Sequence, residues 1–298
     1  MGKNARTFGQ DLMRGEHEVG GDKTNGGVLM PSHTSGDPSF YAKKRAKEAE
    51  LGRELSTEEF HADHYQPSEA PTASGTSIFD PVLCEIAYRW FCPPCGVVLD
   101  PFAGGSVRGI VASVLGYEYH GVELRAEQVA ANRAQASIGR APAPVWYQGD
   151  SRNVQEIAPV AADLVFSCPP YADLEVYSDD PADLSTLSYA EFRAAYTDII
   201  ARSCSLLKPD RFACFVVGEA RDRRGNYYGF VPDTVAAFRA AGLDFYNEAI
   251  LVTAAGSLPI RAGGQFRAGR KLGKTHQNIL VFVKGDAKRA ARACGGEA

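Results

Sequence analysis

The sequence predicts an α/β protein: one seven-stranded, mostly parallel sheet whose last strand runs antiparallel, preceded by an N-terminal extension. Three observations carry this. From about residue 76, short β-branched and apolar runs alternate with stretches of helical period, the pattern of βα units joined by short turns. Two of the runs, Gly96-Val97-Val98-Leu99 and Ala162-Asp163-Leu164-Val165-Phe166, read as buried parallel strands, and each ends in a loop rich in Gly or Pro. The final two strand-like runs have no helical period between them, only a Gly- and Arg-rich stretch, which predicts a hairpin-like antiparallel ending.

In chain order, residues 1–38 are rich in Gly, Asp, Asn and Ser without a sustained apolar period, and no fold is assigned to them. Residues 41–51 have strong helical propensity, and Ser56-Thr57-Glu58-Glu59 offers a capping box for a second short helix. The main body then reads helix 80–91, strand 97–100, helix 107–115, strand 118–123, helix 126–138 and strand 145–148. It continues with strand 164–167, helix 189–207, strand 212–217, helix 231–241, and strands 245–253 and 278–284. The expected organisation is an extension over 1–75, a folded domain over 76–286 and a tail over 287–298.

Composition narrows the function classes. With 298 residues, 45% hydrophobic and 23% charged, the chain can bury one large core and still leave a peripheral segment. No apolar run approaches the roughly 20 residues that span a bilayer, and the start, Met1-Gly2-Lys3-Asn4-Ala5-Arg6, leads into no apolar stretch, so residence in the cytoplasm and no membrane partner are expected. Seven cysteines without framework spacing fit a reducing compartment. A net charge of −4 argues against indiscriminate nucleic-acid binding, so any such contact must come from local basic patches.

Both loops fall at the ligand edge of an open α/β sheet. In the first, Asp100-Pro101-Phe102-Ala103-Gly104-Gly105-Ser106, the glycines lack the G-x-G-x-x-G spacing that seats a pyrophosphate, and no Gly-Lys-Ser/Thr follows as in a P-loop. The loop suits a cofactor without phosphate. Glu123, ending the next strand, is placed to accept hydrogen bonds from a ribose diol, and Asp150, after the third, to take an adenine amino group. Taken singly, a glycine turn is a weak signal and an acid after a strand is often only a helix cap; their order along successive strands joins them. In the second loop, Ser167-Cys168-Pro169-Pro170-Tyr171, prolines bring carbonyls without N–H groups and Tyr171 brings an aromatic face, which fits group transfer onto a flat base.

These segments resemble the S-adenosylmethionine-dependent DNA amino-methyltransferases over roughly Thr76 to Lys284. The family's D-P-F-x-G-x-G/S cofactor motif is matched by Asp100 through Ser106. Its catalytic motif, Asp, Asn or Ser followed by Pro-Pro-Tyr or Pro-Pro-Phe, is similar to Cys168-Pro169-Pro170-Tyr171 with one departure. An aromatic-Pro segment, Thr76-Ser77-Ile78-Phe79-Asp80-Pro81, completes the set, in an order like the gamma type. The resemblance implies a class I methyltransferase fold and S-adenosylmethionine as cofactor, bound by Phe79, Asp80, Asp100, Phe102, Ala103, Gly104, Gly105, Ser106, Glu123 and Asp150. It also implies transfer to cytosine N4 or adenine N6 of a flipped base, with cytosine slightly favoured, and DNA before RNA as partner. In the family, residue 168 supplies a side-chain oxygen that accepts an amino proton. A thiol is a poor acceptor, so either Ser167 takes over or Cys168 acts otherwise. One rival is attack of the Cys168 thiolate on a pyrimidine, as in cytosine-C5 methyltransferases, where the cysteine follows a proline instead of preceding two. A second is a catalytically degraded DNA-binding module that keeps the fold.

Remaining signals are peripheral. Arg261, Arg267, Arg270, Lys271 and Lys274 lie in a stretch with Phe266 and no acid, read as a phosphate-gripping loop that Arg221, Arg223 and Arg224 extend; the plain alternative is a solvated loop. Lys43, Lys44, Arg45 and Lys47 offer a nucleic-acid contact or simply a solvated helix face. Asp173, Glu175, Asp179, Asp180 and Asp183 form an acidic run awkward beside nucleic acid. Cys92-Pro93-Pro94-Cys95 has zinc-knuckle spacing but no second pair, and His61, His64 and His276 read as ordinary surface or structural histidines. No metal is expected.

Overall fold

The computed structural model describes residues 40–55, 60, 78–171, 180–222, 224–253 and 258–296. The chain divides into two units, Met1–Phe79 and Asp80–Ala298. In the first, the charged stretch forms α1 (Phe40–Leu51). Lys44 pairs with Glu48 at 2.6 Å and Lys47 with Glu50 at 2.8 Å, so two of the cations offered to nucleic acid are matched along the helix itself. Glu48 also accepts from the Leu55 amide at 2.9 Å, and Leu55 and Phe60 are buried together. Residues 56–59, His61, His64 and the side chain of Lys43 lie outside the described residues.

The second unit contains strands β1 (Val97–Asp100), β2 (Glu118–Glu123), β3 (Val145–Gln148), β4 (Ala162–Ser167), β5 (Leu207–Val217), β6 (Asp244–Val252) and β7 (His276–Lys284). They form one sheet in the order β3-β2-β1-β4-β5-β7-β6. Only β7 is antiparallel, to both of its neighbours. This is the seven-stranded class I methyltransferase arrangement expected from the sequence. The winding reverses between β1 and β4, so the crevice beyond their carboxyl ends is the topological switch point where open α/β sheets bind ligands.

The helices are α2 (Pro81–Phe91), α3 (Val107–Val114), α4 (Ala126–Ala134), α5 (Val154–Ile157), α6 (Tyr189–Leu206), α7 (Phe230–Ala240), α8 (Leu258–Gly269) and α9 (Ala287–Ala293). Local chemistry sets several starts. Asp80 accepts from the amides of Val82 and Leu83 while Pro81, which has no N–H to satisfy, opens α2. Ser188 and Glu191 close a reciprocal capping box on α6. Val98, Leu99, Val165 and Phe166 are wholly buried, as central parallel strands covered on both faces require. A Cβ on Gly109 would stand 2.5 Å from the Trp146 ring and 3.0 Å from Tyr119, so glycine lets α3 press onto β2 and β3. On the other side of the molecule, Phe238 of α7 stacks on Phe282 of β7 with centroids 4.0 Å apart.

Two expectations at the C-terminal end are corrected. The Gly- and Arg-rich stretch is not a loop throughout: residues 258–269 form α8, and β7 returns to insert between β5 and β6. β6 and β7 do pair antiparallel, but across a helix, not a hairpin turn. Glycine depresses helix propensity, which hides such a helix in the sequence. Residues 287–293 form α9, where Asp286 caps the first turn and Ala290 is fully buried.

Candidate functional site

The first loop leaves β1 and enters α3. Its backbone N–H groups are already engaged: Phe102 donates to Asp100 Oδ1 at 3.1 Å, Ala103 to the Val122 carbonyl at 2.9 Å and Gly104 to Glu123 Oε2 at 2.9 Å. With a carboxylate standing against the third amide, this stretch repels a pyrophosphate. Gly104 takes φ +50°, and its carbonyl accepts from Asn132 Nδ2 at 2.7 Å. Gly105 is exposed, and a Cβ there would meet nothing within 4 Å, so the crest of the loop is open to a ligand.

Glu123, ending β2, stands against the same loop. Its second oxygen, Oε1, accepts from the Arg125 amide at 3.0 Å. The Arg125 guanidinium also approaches Oε1, at 3.6 Å, while, of the roughly four acceptor positions of a carboxylate, Oε2 retains one. Burial raises its pKa above the ordinary value, outweighing the Arg125 and Gly104 amides and the Arg125 charge. Asp150 caps the short turn after β3, accepting from the Arg152 amide at 2.9 Å and from the Arg152 guanidinium at 2.7 and 2.6 Å.

Other residues of the expected set turn inward. Asp100 has no exposed surface: Arg108 Nε donates to it at 2.6 Å, Tyr119 at 2.8 Å and Ser167 Oγ at 2.5 Å. Arg108 also donates to the carbonyls of Phe102 and Ala103. Burial opposes its charge, but the neighbouring Asp100 carboxylate outweighs that and holds the guanidinium protonated. The Phe102 ring packs against Tyr196 and Phe215, Ala103 is fully buried, and Ser106 donates to Gln135. Asp80 is half-buried as the α2 cap, while Phe79 closes the first unit.

The second loop leaves β4 next to the first. Ser167 is fully buried, donates to Asp100 and accepts from the Phe102 amide at 3.2 Å. Its hydroxyl therefore bolts the two loops together from inside the core. Pro169 is buried and Cys168, Pro170 and Tyr171 are half-buried. The Tyr171 hydroxyl accepts from Gln277 Nε2 at 2.7 Å and lies 3.6 Å from Cys168 Sγ, and its ring meets Phe230 edge-on at 6.0 Å. Beneath it, a Cβ on Gly218 would come within 3.8 Å of the Tyr171 ring.

Arg108, Tyr119, Asn132, Gly218 and Gln277 were not singled out from the sequence. Only Arg108 left a trace, as a cation in the first turn of an otherwise apolar helix. Among the basic residues, Arg267 lies in α8 and Arg270, Lys271 and Lys274 follow it; the Arg261 backbone is in α8, but its side chain, like Arg223, lies outside the described residues. Lys274 Nζ is 3.3 Å from Asn278 Oδ1. Asp173, Glu175 and Asp179 also lie outside the described residues; Asp180 accepts from Ala182 N, and Asp183 caps the turn before α6.

No family model and no curated protein matches the chain. Similar solved structures include TrmN from Thermus thermophilus, 16% identical over 69% of this chain and 49% of that one, TM-score 0.45. Another, also from Thermus thermophilus, is TTHA0409, assigned as a DNA modification methylase, 21% identical over 46% and 51%, TM-score 0.35. A third is a TehB-like SAM-dependent methyltransferase from Corynebacterium glutamicum, 17% identical over 85% and 99%, TM-score 0.42. The match to the first two spans about half the length of each of those proteins.

Proposed function

We propose that this chain transfers a methyl group from S-adenosylmethionine to an exocyclic amino group of a base in DNA, cytosine N4 or adenine N6. The observation that carries this reading is the joining of the two loops at the switch point, where Ser167 Oγ donates to Asp100 Oδ1 at 2.5 Å. A loop that fits a phosphate-free nucleoside and a proline-rich acceptor loop then open onto one crevice.

The residues fit such a cofactor. Glu123 accepts from the ribose hydroxyls, Asp150 faces the adenine side, and Gly104 and Gly105 leave room for close approach. When bound, S-adenosylmethionine supplies an electrophilic methyl on a sulfonium. The amino nucleophile is weak because its lone pair is delocalised into the base ring. The Pro169 carbonyl accepts a hydrogen bond from one amino N–H and turns the lone pair out of the plane, while Tyr171, its hydroxyl held by Gln277, offers the ring against which the base rests. With Ser167 engaged by Asp100, the second acceptor belongs to the backbone of the loop, and Cys168 packs on the Tyr171 hydroxyl.

The test is mass spectrometry of nucleosides from DNA and RNA incubated with the protein and isotopically labelled S-adenosylmethionine. Labelled N4-methylcytidine or N6-methyladenosine in the deoxy series is expected. Label confined to RNA, or label at cytosine C5, overturns the reading.

A further inference from the structure

In the segments that follow β5 and precede β7 lies a cavity of about 370 Å³ lined by Arg221, Gln265, Ala268, Gly269, Lys271 and Leu272. Its walls hang on the two strands that support Tyr171. Arg221 follows Gly218 of the Tyr171 contact by three residues, a span of at most about 10 Å, and Lys271 precedes Gln277 in the segment entering β7. We propose that this cavity holds one unpaired nucleotide of single-stranded DNA next to the target base. The proposal rests on the reading of Tyr171 as part of a base-methylating site.

The electrostatics are specific. Arg221 is bridged to Tyr227, and Gly225 N donates to Asp222 O at 2.8 Å. Arg221 donates to the Gly225 carbonyl at 2.7 Å, and Lys271 Nζ occupies the space that a Gly225 Cβ would need. Two cations therefore converge on one glycine whose φ is +88° and which no side chain can replace without displacing the lysine. Among the described residues, no carboxylate lies within 4.0 Å of either cation. The nearest acid in sequence, Asp222, is turned to Arg224 and the Asn226 amide. Two adjoining positive charges with no carboxylate of the described residues against them favour an anion between them, and a phosphodiester supplies one.

The surroundings favour an unpaired strand. Tyr227 and Leu272 are 47% and 73% exposed, Phe266 is 42% exposed, and guanidinium groups lie over both rings: Arg221 over Tyr227 at 3.7 Å and Arg270 over Phe266 at 5.0 Å. Flat aromatic and guanidinium surfaces beside a cationic cavity stack on base faces, which a duplex keeps covered. The cavity is the size of one small ligand, too small for paired strands.

The experiment is fluorescence anisotropy of the full chain with a short labelled single-stranded DNA, the same sequence as a duplex, and its RNA counterpart, across a salt series. The single-stranded DNA is expected to bind most tightly. Arg221→Ala with Lys271→Ala should weaken it about tenfold and flatten the salt slope by about 0.7 for each phosphate no longer neutralised. Thermal melting checks the fold of the double variant, and Lys271→Gln alone should show a smaller loss in the same direction. Unchanged affinity in both variants, no binding by the parent protein, or tighter binding of duplex or RNA overturns the proposal. Loss of strand binding in a protein that methylates no base leaves the cavity assignment standing and removes the proposed reaction. Normal methylation with unaltered binding in the variants does the reverse.

Discussion

Glu123 and Cys168 are the residues on which the proposed chemistry turns. A ribose diol donates to an ionised carboxylate, so cofactor affinity is high above the Glu123 pKa and falls as pH drops through it. Because burial raises that pKa above the ordinary 4.5, the fall begins at a higher pH than an exposed glutamate would give. Calorimetry across pH should show it, and Glu123→Gln should weaken binding by roughly 1.5–3 kcal/mol, the worth of hydrogen bonds to a charged group, and remove the pH dependence. For Cys168, the 3.6 Å approach to the Tyr171 hydroxyl makes it part of the loop packing. Cys168→Ser should keep or improve turnover in a single-turnover methylation assay; a loss of essentially all turnover would instead require a covalent thiolate route.

Between elements, the decisive object is the buried Asp100–Arg108 pair with Ser167 and Tyr119 attached. It joins β1, α3, β2 and β4, so the glycine loop and the Pro-Pro-Tyr loop share one polar joint. Removing one partner strands the other without solvent, and Arg108→Met should cost about 3–5 kcal/mol in denaturant unfolding. Adding Asp100→Asn should restore part of it, since a neutral amide is cheaper to bury unpaired than a carboxylate. Gly109 shows the same tightness in an apolar contact: Gly109→Ala drives a methyl into Trp146 and should cost about 1–3 kcal/mol, despite alanine's better helix propensity.

Across the whole domain, Asp163 ties three strands together at the end of the sheet opposite the crevice. It accepts from Lys208 at 2.8 Å and Arg211 at 2.9 Å on β5 and from the Val97 amide at 3.1 Å on β1. Burial pushes its pKa up, but these donors outweigh burial and the carboxyl lies below the ordinary 3.8. A depressed acid stabilises the fold above its unfolded value, and that contribution is lost as pH falls through the folded one. Acid unfolding followed by circular dichroism should therefore lose this contribution below pH 3.8, and Asp163→Asn should lower stability at neutral pH while flattening the acid dependence.

Much of this architecture was legible in the sequence, and the reason is local. β1, β2 and β3 have the bounds the sequence predicts, Val97–Asp100, Glu118–Glu123 and Val145–Gln148, because local propensity and turn signals are properties of neighbouring residues. The two chemically distinctive loops were visible for the same reason, as was their place at strand ends. The tertiary structure alone decided the rest. It made a helix of glycine-rich residues 258–269 and continued β5 back to Leu207 beyond the run that begins at Phe212. It also turned Ser167 inward onto Asp100, a partner 67 residues distant in the chain. Such a choice depends on which polar groups meet inside the core, where an unpaired hydroxyl or carboxylate is costly, and no local pattern records that meeting. By itself, the sequence determined that a glycine loop and a Pro-Pro-Tyr loop would face a ligand edge; the packing of distant strands decided which of their side chains reach it.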